Sequence, residues 1–197
     1  LTDDSNTWFP LPALRRAVAR GDIGALTPHF LGVPTNRSQR HTLEADVPLL
    51  VQRCREDGAE AAVLVPNCPV CHQTMSLVAR HLEANGIPTV ILGAAVDIVE
   101  HCGVPRLLFS DVPLGNAAGL PYDVPSQDET IRAALSLLRE ATQARTTVRN
   151  SVRWPGDPDW KRHYLSVEGL SADDIARLRS ENDLIKATAQ QVRDQSL

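Results

Sequence analysis

Ala61-Ala62-Val63-Leu64-Val65-Pro66 runs without a break into Asn67-Cys68-Pro69-Val70-Cys71-His72-Gln73. A short continuous apolar run is the pattern of a strand covered on both faces. Proline is at home in the first turn of a helix, where its missing N–H costs nothing. From Pro69 onward, Cys71, Met75, Val78, Ala79 and Leu82 fall on one helical face, and Asn85-Gly86 ends the helix. Pro88-Thr89-Val90-Ile91-Leu92-Gly93 then supplies a second strand. The stretch is one β-α-β unit, with Cys-x-x-Cys at its strand-to-helix corner.

The alternation continues downstream. Ala95 to Cys102 reads as a helix ending at Gly103, and Arg106-Leu107-Leu108-Phe109 as a third strand. The expected class is therefore α/β, a parallel sheet with helices on both faces in a Rossmann- or flavodoxin-like three-layer arrangement. Right-handed crossovers are expected to distribute those helices. The turn-rich segment Asp111–Pro121 follows the third strand and so shares the sheet edge with Cys68. A helix is expected from Ser126 to about Ala144, and residues 145–153 break the pattern.

Upstream, Ala13–Arg20 forms a short amphipathic helix closed by Gly21. Residues 22–41, with Gly24, Pro28, Gly32 and Pro34, read as a long polar surface loop. Asp46 caps the next helix, Pro48 lies in its first turn and Cys54 on its buried stripe. Residues 1–153 are assigned to the α/β domain and 154–197 to a C-terminal extension with a turn segment and a terminal helix. In that helix Ser171-Ala172-Asp173-Asp174 has capping-box geometry, and Ile175, Leu178, Ile185, Ala189 and Val192 form a thin apolar stripe. Trp154 and Trp160 flank a Pro-Gly-Asp turn as anchors of the tail. Leu1 in place of Met is compatible with a chain lacking an N-terminal portion.

At 197 residues and 43% hydrophobic content, the chain can bury one substantial core. A net charge of -4 with interspersed Arg, Asp and Glu gives no basic face for nucleic acid. No apolar run of about 18 residues suggests a membrane span, and Leu1-Thr2-Asp3-Asp4 lacks the features of a signal peptide. A cytoplasmic location is the expectation. The four cysteines are too few for a disulfide-stapled scaffold.

The pair at 68 and 71 points to redox chemistry. With Cys68 as N-cap, the amides of Val70 and Cys71 face its sulfur, and the helix N-terminus favours a thiolate there. Cys71, one turn on, is placed to resolve a bond formed at Cys68. His72 brings an imidazole to stabilise the thiolate or donate a proton, and Gln73 a hydrogen-bond donor. Cys54 and Cys102 read as core residues. Rival readings of Cys-x-x-Cys-His are zinc, joined by His101 or Cys102, and covalent haem attachment. Neighbouring Cys71 and His72 do not readily face one ion on a helix, and haem attachment accompanies export, so no metal is expected. A metal-binding or redox-sensing accessory protein is the alternative to an enzyme. For substrate, Arg37, Arg40 and His41 in the polar loop are candidates to hold a carboxylate, and Gly115 and Asn116 to present amides at the sheet edge.

The segment Val65–Thr74 resembles the redox motif of selenoprotein B subunits in the glycine, betaine, sarcosine and D-proline reductase family, in which selenocysteine holds the position of Cys68. The likeness extends through Ala79–Thr89, Asp97-Ile98-Val99-Glu100-His101 and Asp111-Val112-Pro113-Leu114-Gly115-Asn116. Gly32-Val33-Pro34-Thr35, Asp57-Gly58 and Trp154–Trp160 also fit, so most of residues 8–165 takes part. Ala117-Ala118 and Leu120 depart from the family, where other residues including a Lys are expected, which implies altered substrate or partner recognition.

The resemblance implies a cysteine-containing reductase in which Cys68 attacks the α-carbon of an activated small substrate, an amino acid or derivative, and cleaves a C–N bond. Cys71 regenerates Cys68, leaving a redox-active disulfide, and Asn67 within the motif joins the substrate contacts. No intrinsic cofactor is implied. A pyruvoyl group on a partner subunit activates the substrate amine as an imine, and a thioredoxin-like protein or other thiol reductant restores the dithiol. A partner subunit or homo-oligomer is expected.

Overall fold

The computed structural model describes residues 3–35, 37–163 and 170–195. They fall into two compact units, Leu1–Pro155 and Gly156–Leu197. In chain order the first contains α1 (Leu11–Arg20), α2 (Gln39–His41), α3 (Val47–Glu56), β1 (Ala62–Leu64), α4 (Pro69–Ala84), β2 (Thr89–Gly93), α5 (Val96–Cys102), β3 (Arg106–Phe109), α6 (Val124–Glu140) and β4 (Thr146–Arg149). The second contains α7 (Trp160–His163) and α8 (Ala172–Gln195).

The four strands form one wholly parallel sheet in the order β1-β2-β3-β4, with Val63 beside Val90, Ile91 beside Leu107 and Leu108 beside Val148. Every residue of β2 is buried, as a strand covered on both faces requires. On one face, Ala79 of α4 and Val99 of α5 pack with Ile91 and Leu107. Outside α4, Val47, Val51 and Cys54 of α3 meet Val78, Leu82 and Ile87. On the other face, Ala13 and Ala17 of α1 and Ile131, Ala134 and Leu135 of α6 cover Val90, Leu92 and Leu108. Each large apolar side chain removed from water contributes about 1.5–3 kcal/mol. The α/β class and the helices on both faces are thus as the sequence indicated.

The crossovers differ from expectation. The chain steps in the same direction from β1 to β4, so a uniform hand would put α4, α5 and α6 on one face. Because α6 lies opposite α4 and α5, the third crossover has the opposite hand to the first two. The long loop between Phe109 and Val124 carries the chain over to that second face.

Three local expectations are corrected. The helix ahead of β1 does not start at Asp46, which has helical φ/ψ and no side-chain cap. It starts at Ser38, whose hydroxyl accepts the His41 N–H at 3.2 Å, and Thr42–Asp46 form a π turn joining α2 to α3. That turn rearranges the ladder just before Pro48, which lacks the N–H an interior position normally donates. Arg40 and His41 are consequently helical, outside any loop. Thr146–Arg149, within the segment read as a break, form edge strand β4. α6 ends at Glu140, four residues short of the expected limit.

In the second unit, Asp174 N–H donates to Ser171 Oγ at 3.1 Å, and Ser171 N–H and Oγ–H donate back to Asp174 at 3.3 and 2.7 Å. Asp174 stands in for the usual Glu of a capping box. The Ser171 hydroxyl and Arg177 hold its carboxyl below the ordinary range. Leu178 of the expected stripe is exposed. The side chains of Ile185, Ala189 and Val192 lie outside the described residues. Among the described residues, no helix is long and apolar enough to cross a membrane.

Candidate active site at the head of α4

β1 delivers the chain to the sheet's carboxyl edge, where Cys68 takes extended dihedrals (φ -128°, ψ 166°) as the N-cap of α4 and Pro69 occupies the first turn. The Cys71 N–H donates to Cys68 Sγ at 3.1 Å. The two sulfurs lie within disulfide distance, their Cα atoms 4.9 Å apart. Both cysteines are half-buried. In the reduced pair the same N–H and the start of a 16-residue helix face the Cys68 sulfur, an arrangement that stabilises a thiolate.

His72 does not stand open beside the sulfur as an acid–base group. Its side chain is fully buried, at 0% exposure. Nδ1–H donates to the Cys68 carbonyl at 2.7 Å, while Nε2 accepts the Ala94 and Ala95 N–H groups at 3.0 and 3.3 Å. These partners fix the neutral Nδ1–H tautomer. Burial depresses the His72 pKa; the hydrogen bond to Cys68 and the Asp97 carboxylate act in the opposite sense without cancelling it.

Two side-chain acceptors lie at this edge. Asn67 Oδ1 and Asn116 Oδ1 are buried and without a partner among the described residues. Asn116 is 3% exposed, and both its backbone N–H and its Nδ2 donate to Pro113 O. The Gly115 carbonyl accepts Thr7 Oγ1–H at 2.9 Å, so its amide plane is tied to the N-terminal segment. Gln73, Val70 and Pro69 line one side of a cleft of about 510 Å³ whose other side is Asp97, Ile98, His101 and Cys102 of α5. Cys102, expected in the core, is therefore half-buried in a cleft wall, whereas Cys54 is buried and its thiol pKa is raised by desolvation and by Asp57.

The candidate carboxylate ligands are engaged locally. Arg40 lies 3.8 Å from Glu44, and His41 Nε2 lies 3.5 Å from Asp46. Arg37 is exposed with φ +59°. Their segment flanks α4: Thr42–Asp46 touches it, and Arg55 at the other end of α3 reaches Asn85 at the end of α4.

Sequence reasoning missed the supports of the 110–122 loop. Asp4 is buried and accepts Asn6 N–H, Asn6 Nδ2–H, Tyr122 N–H and Gln127 Nε2–H at 3.0, 2.8, 2.7 and 2.9 Å. Burial alone would raise its pKa, but those four donors hold the carboxyl below its ordinary value. Asn150 Nδ2 donates to Ser110 Oγ and Thr130 Oγ1 at 3.0 and 2.9 Å, and Ser110 Oγ donates to Ala117 O. The only sequence signal for Asp4 is its Asx-type position two residues before Asn6. Among the described residues, no three His, Cys, Asp or Glu side chains converge as metal ligands.

No family model matches the chain, and no solved structure matches it. Among curated proteins it is similar to the D-proline reductase subunit gamma of Acetoanaerobium sticklandii, at 31% identity over 142 residues. The match covers 72% of this chain and 59% of the relative, so the chain spans less than two thirds of that protein's length. By this similarity the chain is related to a D-proline reductase subunit, and it carries on its α/β scaffold a Cys-x-x-Cys pair at disulfide distance.

Proposed function

We propose that this chain is a thiol-dependent reductase subunit of the selenoprotein B type, with Cys68 as nucleophile in place of selenocysteine. The observation that carries the reading is the Cys71 N–H directed at Cys68 Sγ, 3.1 Å away, at the head of α4. The Cys68 thiolate attacks the α-carbon of an activated amino acid or derivative. A C–S bond forms as the C–N bond breaks, and nitrogen takes the electron pair and a proton. The Cys71 thiolate then attacks the Cys68 sulfur. The S–S bond forms as the C–S bond breaks, and the carbon takes the pair and a proton. Substrate gains two electrons, the dithiol loses two, and a thioredoxin-like dithiol returns them.

A pyruvoyl group on a partner subunit would supply the electron sink that makes the C–N bond cleavable. The residues of this chain suit an amine brought to the sheet edge that way: Asn67 Oδ1 and Asn116 Oδ1 are buried acceptors that an N–H-bearing substrate satisfies. The test is anaerobic turnover of candidate amino acids by the complex purified from its native source, with dithiothreitol as electron donor. The reading expects Cys68→Ser to abolish product formation, and full retained activity in that variant refutes it.

A further inference from the structure

We infer that His72 is a positioning residue, acting through Cys68 by binding the head of α4 to the β2–α5 turn, and that it exchanges no proton with substrate. The inference rests on the reading of Cys68 as nucleophile. A proton shuttle needs a ring nitrogen that meets the reacting atoms, and His72 has none to spare. Nδ1–H is committed to the Cys68 carbonyl and Nε2 to two backbone N–H groups, inside a fully buried pocket. Asp97, on α5, is the charged group whose field reaches the ring, and burial prevails over it. The fold also reserves space for the imidazole: a Cβ at Gly93 would come within 3.4 Å of His72 Cδ2 and 3.1 Å of Leu107 Cδ1.

The bond from His72 matters at Cys68 because that residue is the N-cap. The Cys68 carbonyl accepts both the His72 backbone N–H, at 3.0 Å, and the ring N–H, at 2.7 Å. Together they fix the peptide plane that follows the Cys68 Cα and hold the extended dihedrals from which Sγ meets the Cys71 N–H. The ring's far side fixes Ala94 and Ala95, which lead into α5. One imidazole thus joins the two walls of the cleft formed by Val70 and Gln73 on α4 and Asp97, Ile98 and His101 on α5.

The two halves of the clamp separate by substitution in the full chain. Asn places an N–H donor where Nδ1 lies, and Gln places an acceptor where Nε2 lies. His72→Gln loses the bond to Cys68, and the thiol pKa of reduced Cys68, from the pH dependence of iodoacetamide alkylation, should rise by about one unit, a tenfold loss of reactivity below the pKa. His72→Asn should rescue most of that shift. An unchanged Cys68 pKa in folded His72→Gln overturns the inference, while failure of wild-type Cys68 to react selectively overturns the nucleophile reading instead. A second measurement needs no variant. The imidazole 15N resonances of the wild type should show a neutral, Nδ1-protonated ring in both the reduced and the oxidised protein at pH 6. An imidazolium, or a tautomer that changes with redox state, overturns the inference even where neither variant folds.

Discussion

The backbone N–H of Cys71 stands 3.1 Å from the sulfur of Cys68, one helical turn before it. The same geometry that stabilises a Cys68 thiolate keeps the Cys71 sulfur at disulfide distance, so one turn of α4 holds attacker and resolver. Cys71→Ser removes only the resolver. With glutathione disulfide it should accumulate a stable mixed disulfide at Cys68, detectable as an added glutathione mass, whereas the wild type should release glutathione and close its own disulfide. Equal accumulation in both proteins would contradict the assignment of roles.

Asp4 ties the N-terminal segment to the loop that follows β3. In Asp4→Asn, the amide nitrogen opposes either the Tyr122 and Gln127 donors or the two Asn6 donors, a cost of about 2 kcal/mol at neutral pH, measured by urea unfolding. Folding lowers the Asp4 pKa below its ordinary 3.8, so its contribution is complete above that pH and drains away as pH falls through the folded value. The stability gap between wild type and variant should therefore narrow below pH 3.8.

Gly119 combines a backbone at φ +125° with a close approach to α6, where an added Cβ would lie 2.7 Å from Gln127 Cα. Backbone cannot yield as a flexible side chain does. Gly119→Ala should cost about 2 kcal/mol or more of unfolding free energy, whereas Gly24→Ala, in open space, should be nearly neutral.

Asn116 has a buried oxygen without a partner among the described residues, a cost that a ligand N–H would offset. Asn116→Leu should leave the thermal midpoint within a few degrees of wild type while raising the substrate KM about tenfold. A large loss of stability with unchanged KM would make the residue purely structural.

Much of this architecture is legible in the sequence because local and tertiary demands agree there. The apolar runs all become strands, β2 buried throughout, β3 buried at Leu107 and Leu108 and β1 half-buried at the sheet edge, and α4 begins at Pro69 and ends before Asn85-Gly86 as its punctuation dictates. Thr146-Thr147-Val148-Arg149 gave no such signal because β4 is an edge strand held by its ladder to β3, with Val148 left 42% exposed. Asp46 and Pro48 imitate a helix start, but the chain is already helical from Gln39, and the π turn before Pro48 has no compositional signature. At the site, Cys68 and Cys71 follow from spacing alone. The burial of His72 depends on Gly93, Ala94 and Ala95, residues more than twenty positions away whose contribution is an absent Cβ and two backbone N–H groups.

The central claim is that Cys68 is an activated thiolate, and competitive alkylation of the fully reduced chain across pH, read out by peptide mass spectrometry, tests it most directly. Cys54 should remain protected in the native protein, since it is buried and its thiol pKa is raised. The account predicts that Cys68 labels ahead of Cys71 and Cys102 at every pH below about 8, with an inflection clearly under the ordinary cysteine value. Labelling of Cys68, Cys71 and Cys102 at similar rates, rising together above about pH 8.5, would contradict it.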